Sequence, residues 1–218
     1  MNIFDIMGPV MVGPSSSHTA GAVRIGLITR KLLGEEPKSA LIDLHGSFAA
    51  TGVGHGTDKA LIAGLLGMQP DDMRIPRSDV FAKELGVDIQ FDKKNVRNAH
   101  PNTAVLHVEG KSGRKLCVQA SSIGGGRIEI NKIDDTEMNV TGEKPTLVIQ
   151  NQDITGLVAK VAATLSDENV NIATMQLCRD KRGGVAVMVI ETDQGVQDHC
   201  IQTLKGIDGI KEVTYITA

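Results

Sequence analysis

The stretch Gly13-Pro14-Ser15-Ser16-Ser17-His18-Thr19-Ala20-Gly21 places four hydroxyl side chains and a histidine between two glycines. The apolar pattern beyond it predicts a helix from about Ser17 to Leu33, stopped at Gly34, with Arg30 and Lys31 in its last turn. The first turn of a helix leaves backbone N–H groups unpaired and carries positive partial charge. With Ser15, Ser16, Ser17 and Thr19 as added hydroxyl donors, the stretch reads as a cradle for a carboxylate or phosphate. A capped helix start with surface serines is the plainer alternative. The stretch is not a nucleotide-binding P-loop, because the GK[ST] ending is missing. His18 lies in the same turn. There the positive helix end disfavours the imidazolium and leaves a neutral ring able to accept a proton. A histidine that only bonds nearby backbone is the other reading.

A second cluster, LHGSFAATGVGHGTD from Leu44 to Asp58, follows a predicted strand at Ala40–Leu44 and leads into a predicted helix at Thr57–Leu66. Such junctions are where α/β proteins tend to place ligands. Four glycines between Gly46 and Gly56 suggest a loop shaped around a ligand, with Gly46, Ser47, Thr51, His55 and Asp58 as its contacts. A metal on His45, His55 and Asp58 is a competing reading. No HxxxH or HExxH spacing supports it, so no metal ligand is assigned. Two more loops join predicted strands. His100-Pro101-Asn102-Thr103 contributes His100 and Asn102 as ligand contacts. Ser121–Gly126, with three consecutive glycines, reads either as a wide turn or as backbone approaching an anion.

These loops need a scaffold. Further elements are predicted as a helix at Ser78–Leu85 capped by Ser78, and strands at Val87–Phe91, Thr103–Glu109, Lys115–Ser121 and Arg127–Asn131, with Gly110–Gly113 as a hairpin turn. The polar run from Asp134 to Pro145 reads as a linker. After it come a strand at Thr146–Gln150 and a helical face of Ile154, Leu157, Val158, Val161, Ala162 and Leu165. A strand through Ala173, Met175 and Leu177 then turns at Arg179–Gly184 into the continuous apolar strand Val185–Thr192. A helix through Val196, Cys200, Leu204 and Ile207 leads to a last strand, Val213–Thr217. That order is β-α-β-β-α-β, the ferredoxin-like arrangement. The chain is thus expected to be α+β, with domains at residues 1–133 and 146–218 and a linker at 134–145.

Composition narrows the function. Aromatic residues are 2% of the chain, so the stacking platforms of single-strand nucleic-acid binders are nearly absent. A net charge of −3 without a basic run gives no reason to expect nucleic acid or an anionic membrane. Cys117, Cys178 and Cys200 are far apart, odd in number and form no CxxC, as expected of reduced thiols in a cytoplasmic protein. The first residues lack the charge and apolar run of a signal peptide, and no apolar stretch is long enough to span a bilayer.

GPSSSHTAG, LHGSFAATGVGHGTDKA, NAHPNT and SSIGGGRIEI occur here in that order. Together they resemble the beta chain of bacterial iron–sulfur-dependent L-serine dehydratases, over the whole chain. The C-terminal part resembles an ACT domain, the regulatory module of many amino-acid enzymes. The N-terminal part is similar to the allosteric substrate-binding domain of some phosphoglycerate dehydrogenases. The resemblance implies conversion of L-serine to pyruvate and ammonia, with His18 as base and Ser15, Ser16, Ser17 and Thr19 holding the substrate carboxylate. It implies a [4Fe–4S] cluster, and three cysteines fall short of the usual four ligands. The cluster is therefore expected on a separate alpha chain. It also implies an allosteric amino-acid site at Asn151, Asp153, Thr155 and Gly156, and homodimer contacts through the ACT part. One departure is Thr155-Gly156 where sensing ACT domains often carry Pro-Gly. A non-catalytic amino-acid or anion sensor is the alternative.

Overall fold

The computed structural model describes residues 10–179 and 181–216, apart from the side chain of Val53. The chain divides into two compact units, up to Asp134 and from Asp135. Asp180, within the expected Arg179–Gly184 turn, and Thr217, the expected end of the last strand, lie outside the described residues.

In the first unit, helix α1 (Ala22–Leu33) is followed by β1 (Pro37–Leu44), α2 (Gly46–His55), α3 (Thr57–Leu65), α4 (Ser78–Glu84) and β2 (Asp88–Lys93). Then come β3 (Thr103–Gly110), β4 (Lys115–Gly124) and β5 (Arg127–Ile133). Within this unit the strand order is β2-β1-β3-β4-β5. β1 and β2 are parallel, which is why the chain between them is long enough to hold three helices. The other pairs are antiparallel. One face of the sheet is aliphatic: Ala40, Ile42, Leu106, Val108, Val118, Ala120 and Ile130 are buried on it. On β1 and β3, Leu41 and His107 alternate with these residues and are exposed.

The Gly110–Gly113 turn joins β3 and β4 as expected, with the Gly113 N–H bonded to the Gly110 carbonyl. Helix α1 ends where predicted, because Gly34 adopts a left-handed φ of 75° and returns its N–H to the Arg30 carbonyl. Helices α1 and α3 cross with their backbones in contact. A Cβ at Gly64 would lie 2.0 Å from the Val23 carbonyl oxygen, and one at Gly26 would lie 2.5 Å from that of Leu61.

Several expectations change. The predicted helix from Ser17 begins instead as a π-helical turn, Ser16–Gly21, and becomes α-helical at Ala22. The glycine-rich stretch after His45 is not a loop but helix α2. Its glycines lower its intrinsic propensity, and the helix is stabilised by tertiary contacts. Phe48 is fully buried, and the Pro101 carbonyl accepts the Ser47 N–H at 2.7 Å. Ser78 does not cap α4. Arg77 holds that position, and the Ser78 hydroxyl donates to the Lys59 carbonyl at 2.6 Å.

In the second unit, β6 (Thr136–Val140) lies within the segment expected to be a linker. β7 (Thr146–Gln152), α5 (Leu157–Asp167), β8 (Ile172–Arg179), β9 (Val185–Thr192), α6 (Asp198–Lys205) and β10 (Ile210–Ile216) then form the expected βαββαβ unit. Its four strands are antiparallel in the order β10-β7-β9-β8. Helices α5 and α6 contribute Leu157, Val161, Leu165, Cys200 and Leu204 to a core shared with Leu147, Ile149, Met188 and Ile190. Ile154, read as part of the α5 face, precedes the helix and is exposed. Strand β9 reads as a continuous apolar run because both its faces are covered. Met188 and Ile190 face the helices, while Val187 and Val189 are also buried, and β6 packs against β8 and β9.

The α1–α3 contact yields a test. Gly64→Val in the full chain is expected to lower stability by about 1–3 kcal/mol or more, since the added side chain meets backbone and must force the helices apart. An unchanged midpoint in urea unfolding would show that the helices do not touch this closely.

Candidate active site

The π-helical turn is built on Ser15. This residue is extended, at φ −142° and ψ 126°, and its hydroxyl accepts the His18 N–H at 3.1 Å. Its carbonyl accepts the Thr19 N–H at 2.8 Å. His18 is thereby held half-buried at the start of α1, with its ring turned to α2.

Helix α2 presents Ser47, Thr51 and His55 at four-residue spacing, a stripe along one face. His18 Nε2 lies 3.1 Å from Ser47 Oγ and 3.3 Å from Thr51 Oγ1. The Thr51 hydroxyl donates to the Ser47 carbonyl at 3.0 Å, as serine and threonine do inside helices. That leaves the Ser47 hydroxyl proton free to point at His18, in the tautomer whose Nε2 carries a lone pair. His55 must donate its Nδ1–H to the Thr51 carbonyl, 3.1 Å away, so its Nε2 is the open nitrogen of the neutral ring. The two imidazoles lie 5.0 Å apart between ring centroids, and Phe48 meets His18 edge-on at 5.3 Å.

The electrostatics favour a neutral His18. Burial lowers its pKa most, the charge of a protonated His55 lowers it further, and a hydrogen bond with the Ser47 backbone opposes both. The direction expected from the sequence holds, but desolvation and a second histidine are its causes rather than the helix end.

Other candidates divide. Thr19 belongs to the same turn but is buried against Gly13 rather than turned to His18. Ser16 and Ser17 are half-buried in the turn. Gly46 starts α2, but the N–H groups of Ser47 and Phe48 are both directed at the Pro101 carbonyl, so this helix start offers no anion cradle there. The His100–Asn102 loop supports α2 from below the site. The Asn102 N–H donates to His100 Nδ1 at 3.1 Å, and the Asn102 carbonyl accepts the Ser122 N–H at 2.9 Å. Asp58 is half-buried in the first turn of α3, with Oδ1 bonded to nothing among the described residues.

His45 is occupied elsewhere, its Nδ1 accepting the Val96 N–H at 3.1 Å. Among the described residues no group of three or more His, Cys, Asp or Glu is assembled to hold a metal ion. A hollow of about 330 Å³ adjoins the start of α2, lined by His45, Gly46, Ala49, Lys93, Lys94 and Asn95, and includes none of His18, Thr51 or His55. The glycines of the β4–β5 turn all have positive φ, 98°, 62° and 77° for Gly124, Gly125 and Gly126, so the turn conformation itself requires them. Sequence reasoning left out Phe48. Its signal was its place one residue after Ser47, at the edge of the polar stripe.

In the second unit, Asn151 ends the buried part of β7, and its side-chain N–H donates to the Gln152 carbonyl at 2.8 Å. Its Oδ1 is buried and bonds nothing among the described residues. Asp153 does not cap α5, since Gly156 is the N-cap. Instead, Asp153 Oδ2 accepts from Arg179 and from the Gly183 N–H, each at 2.9 Å. These bonds, with the Arg179 and Arg182 charges, hold its carboxyl below the usual range. Thr155 is exposed beside Gly156.

A family model of the serine dehydratase beta chain matches residues 2–86, and one of the ACT domain matches residues 146–209. The chain is 41% identical over 215 residues to a probable L-serine dehydratase beta chain of Bacillus subtilis, covering 99% of this chain and 97% of that one. It is 34% identical over 214 residues to the L-serine dehydratase beta chain of Peptoniphilus asaccharolyticus, covering 98% and 96%. A D-3-phosphoglycerate dehydrogenase of Bacillus subtilis is 28% identical over 199 residues, which is 89% of this chain and 37% of that enzyme.

The paired imidazoles give a titration test. By NMR, His18 is expected to titrate below the ordinary histidine value of about 6.5. In His55→Gln its pKa should rise, though not fully, because burial remains. No change on replacing His55 would show that the two rings are not coupled.

Proposed function

The chain belongs to the L-serine dehydratase beta-chain family, and from that premise we propose that it supplies the acid–base and carboxylate-binding half of a shared active site. The observation that carries this reading is the arrangement at the Ser15–Gly21 turn. There a half-buried histidine, biased toward its neutral form, sits between a run of hydroxyls and a second imidazole.

The α-proton of an amino acid becomes easier to remove when its carboxylate is neutralised by fixed donors. The turn's hydroxyls and early N–H groups are the donors for that carboxylate. His18 Nε2 is the base, with the Ser47 hydroxyl as the group that a substrate displaces from it. His55, with its open Nε2, suits exchange of protons with solvent. Loss of the α-proton and the β-hydroxide leaves an enamine, which tautomerises to the imine and hydrolyses to pyruvate and ammonia.

The family reading also brings a [4Fe–4S] cluster, whose iron would act as Lewis acid for the departing hydroxide. This chain's thiols do not fit it. Cys117 lies on β4, Cys178 on β8 and Cys200 on the buried face of α6, and three thiols are fewer than the usual four. The cluster is therefore assigned to a separate alpha chain, and the working enzyme to a cytoplasmic hetero-oligomer with homodimer contacts through the C-terminal unit. Asn151, Asp153, Thr155 and Gly156 are proposed as a regulatory amino-acid site. The buried, unpartnered Asn151 oxygen supports a ligand there.

Co-expression with a cysteine-rich alpha chain under anaerobic conditions is expected to give a complex that forms pyruvate from L-serine. The beta chain alone should be colourless and inactive. His18→Ala in the intact complex should lower kcat by about 10²–10⁴. Wild-type turnover by that variant would remove the base role, and iron in the isolated chain would overturn the division between chains.

A further inference from the structure

We propose that Thr19 and Ser122 are ligand-binding residues whose hydroxyls form the inner wall of the carboxylate site, closed in this state and reached when the Ser16–Gly21 turn opens. The proposal rests on reading that turn as the site of the L-serine carboxylate.

Both residues are buried, Thr19 at 3% and Ser122 at 0% exposure, and neither hydroxyl bonds any group among the described residues. Neighbouring buried hydroxyls are mostly paired, with that of Thr57 a further exception. Ser121 Oγ lies 2.7 Å from Thr103 Oγ1 and donates to Asn131 Oδ1 at 2.6 Å. Thr103 donates to the His100 carbonyl at 2.6 Å, and Thr29 to the Ile25 carbonyl at 2.8 Å. Buried hydroxyls find partners in folded proteins, and one without a partner calls for an explanation.

Each orphan sits against a glycine that borders the turn. A Cβ at Gly21 would lie 2.1 Å from Ser122 Oγ, and a Cβ at Gly13 would lie 2.5 Å from Thr19 Oγ1. A side chain at either glycine would occupy the space beside the hydroxyl. Ser122 is also held firmly. Its N–H is bonded to Asn102, and the turn that follows it is tied to α1 by Arg24 Nη1 donating to the Gly126 carbonyl at 2.9 Å. The hydroxyl is thus a fixed donor behind the Ser16–Gly21 segment.

Both oxygens are sealed from water, so a ligand reaches them only by moving that segment. The π-helical turn is suited to this. Such turns are rare, occur mostly as single turns and concentrate at functional sites. Neutral hydroxyl donors fit the carboxylate of an amino acid, which they bind without an opposing cation that would hold it too tightly for turnover.

The test uses the assembled complex with the alpha chain, comparing Ser122→Ala and Thr19→Val for kcat and KM with L-serine and for melting temperature. Both variants are expected to raise KM about tenfold or more, the loss of a hydrogen bond to a charged group. The melting temperature should stay level or rise, because an unsatisfied buried hydroxyl is removed. An unchanged KM in both variants overturns the proposal. So does a raised KM accompanied by a clear fall in melting temperature, or failure of both variants to assemble, since either result marks the hydroxyls as structural. If the wild-type complex itself does not turn over L-serine, the underlying reading fails and this one with it.

Discussion

Helices α1 and α3 approach so closely that backbone meets backbone at Gly26 and Gly64. Each is entered from a segment of the candidate site: α1 from the turn that carries His18, and α3 from the helix that carries Ser47, Thr51 and His55. Locking the two helices together therefore sets the spacing between those entering segments. The imidazole pair, 5.0 Å apart, is a downstream result of that lock. Side chains at the crossing would force the helices apart and weaken the hydrogen bond between Ser47 and His18.

The polar groups around His18 are almost all neutral. Hydroxyls from two segments and a second imidazole surround it, and burial, with that imidazole adding to it, biases the ring toward its neutral form. A carboxylate beside His18 would have favoured the imidazolium and removed its basic lone pair. The orienting work done elsewhere by an acidic partner falls here to Ser15, which caps the turn through its side chain and holds its neighbour through its backbone.

Much of this was legible in the residues. The βαββαβ unit followed from apolar periodicity, and α1 from its apolar face and the glycine at its end. The hydroxyl-rich turn was recognisable because so many donors are concentrated in so few positions. Helix α2 was not, because glycines at positions 46, 52 and 54 outweighed the pattern that mattered, the four-residue spacing of Ser47, Thr51 and His55. That stripe is polar, and periodicity is usually sought among apolar residues. Strand β6 alternates as Thr136, Met138 and Val140 inside with Glu137 and Asn139 outside, over a span short enough to pass for a linker. The partners of Asp153 are remote from it in sequence. Only the fold brings Arg179 and Gly183 to its carboxylate.

The covered second face of β9 bears on how the chain can be divided. A fragment beginning at Thr146 would contain every element of the βαββαβ unit, yet it would lose β6, which packs against β8 and β9. The compact C-terminal unit therefore begins at Asp135, ahead of β6, and not at the point where the repeating pattern starts.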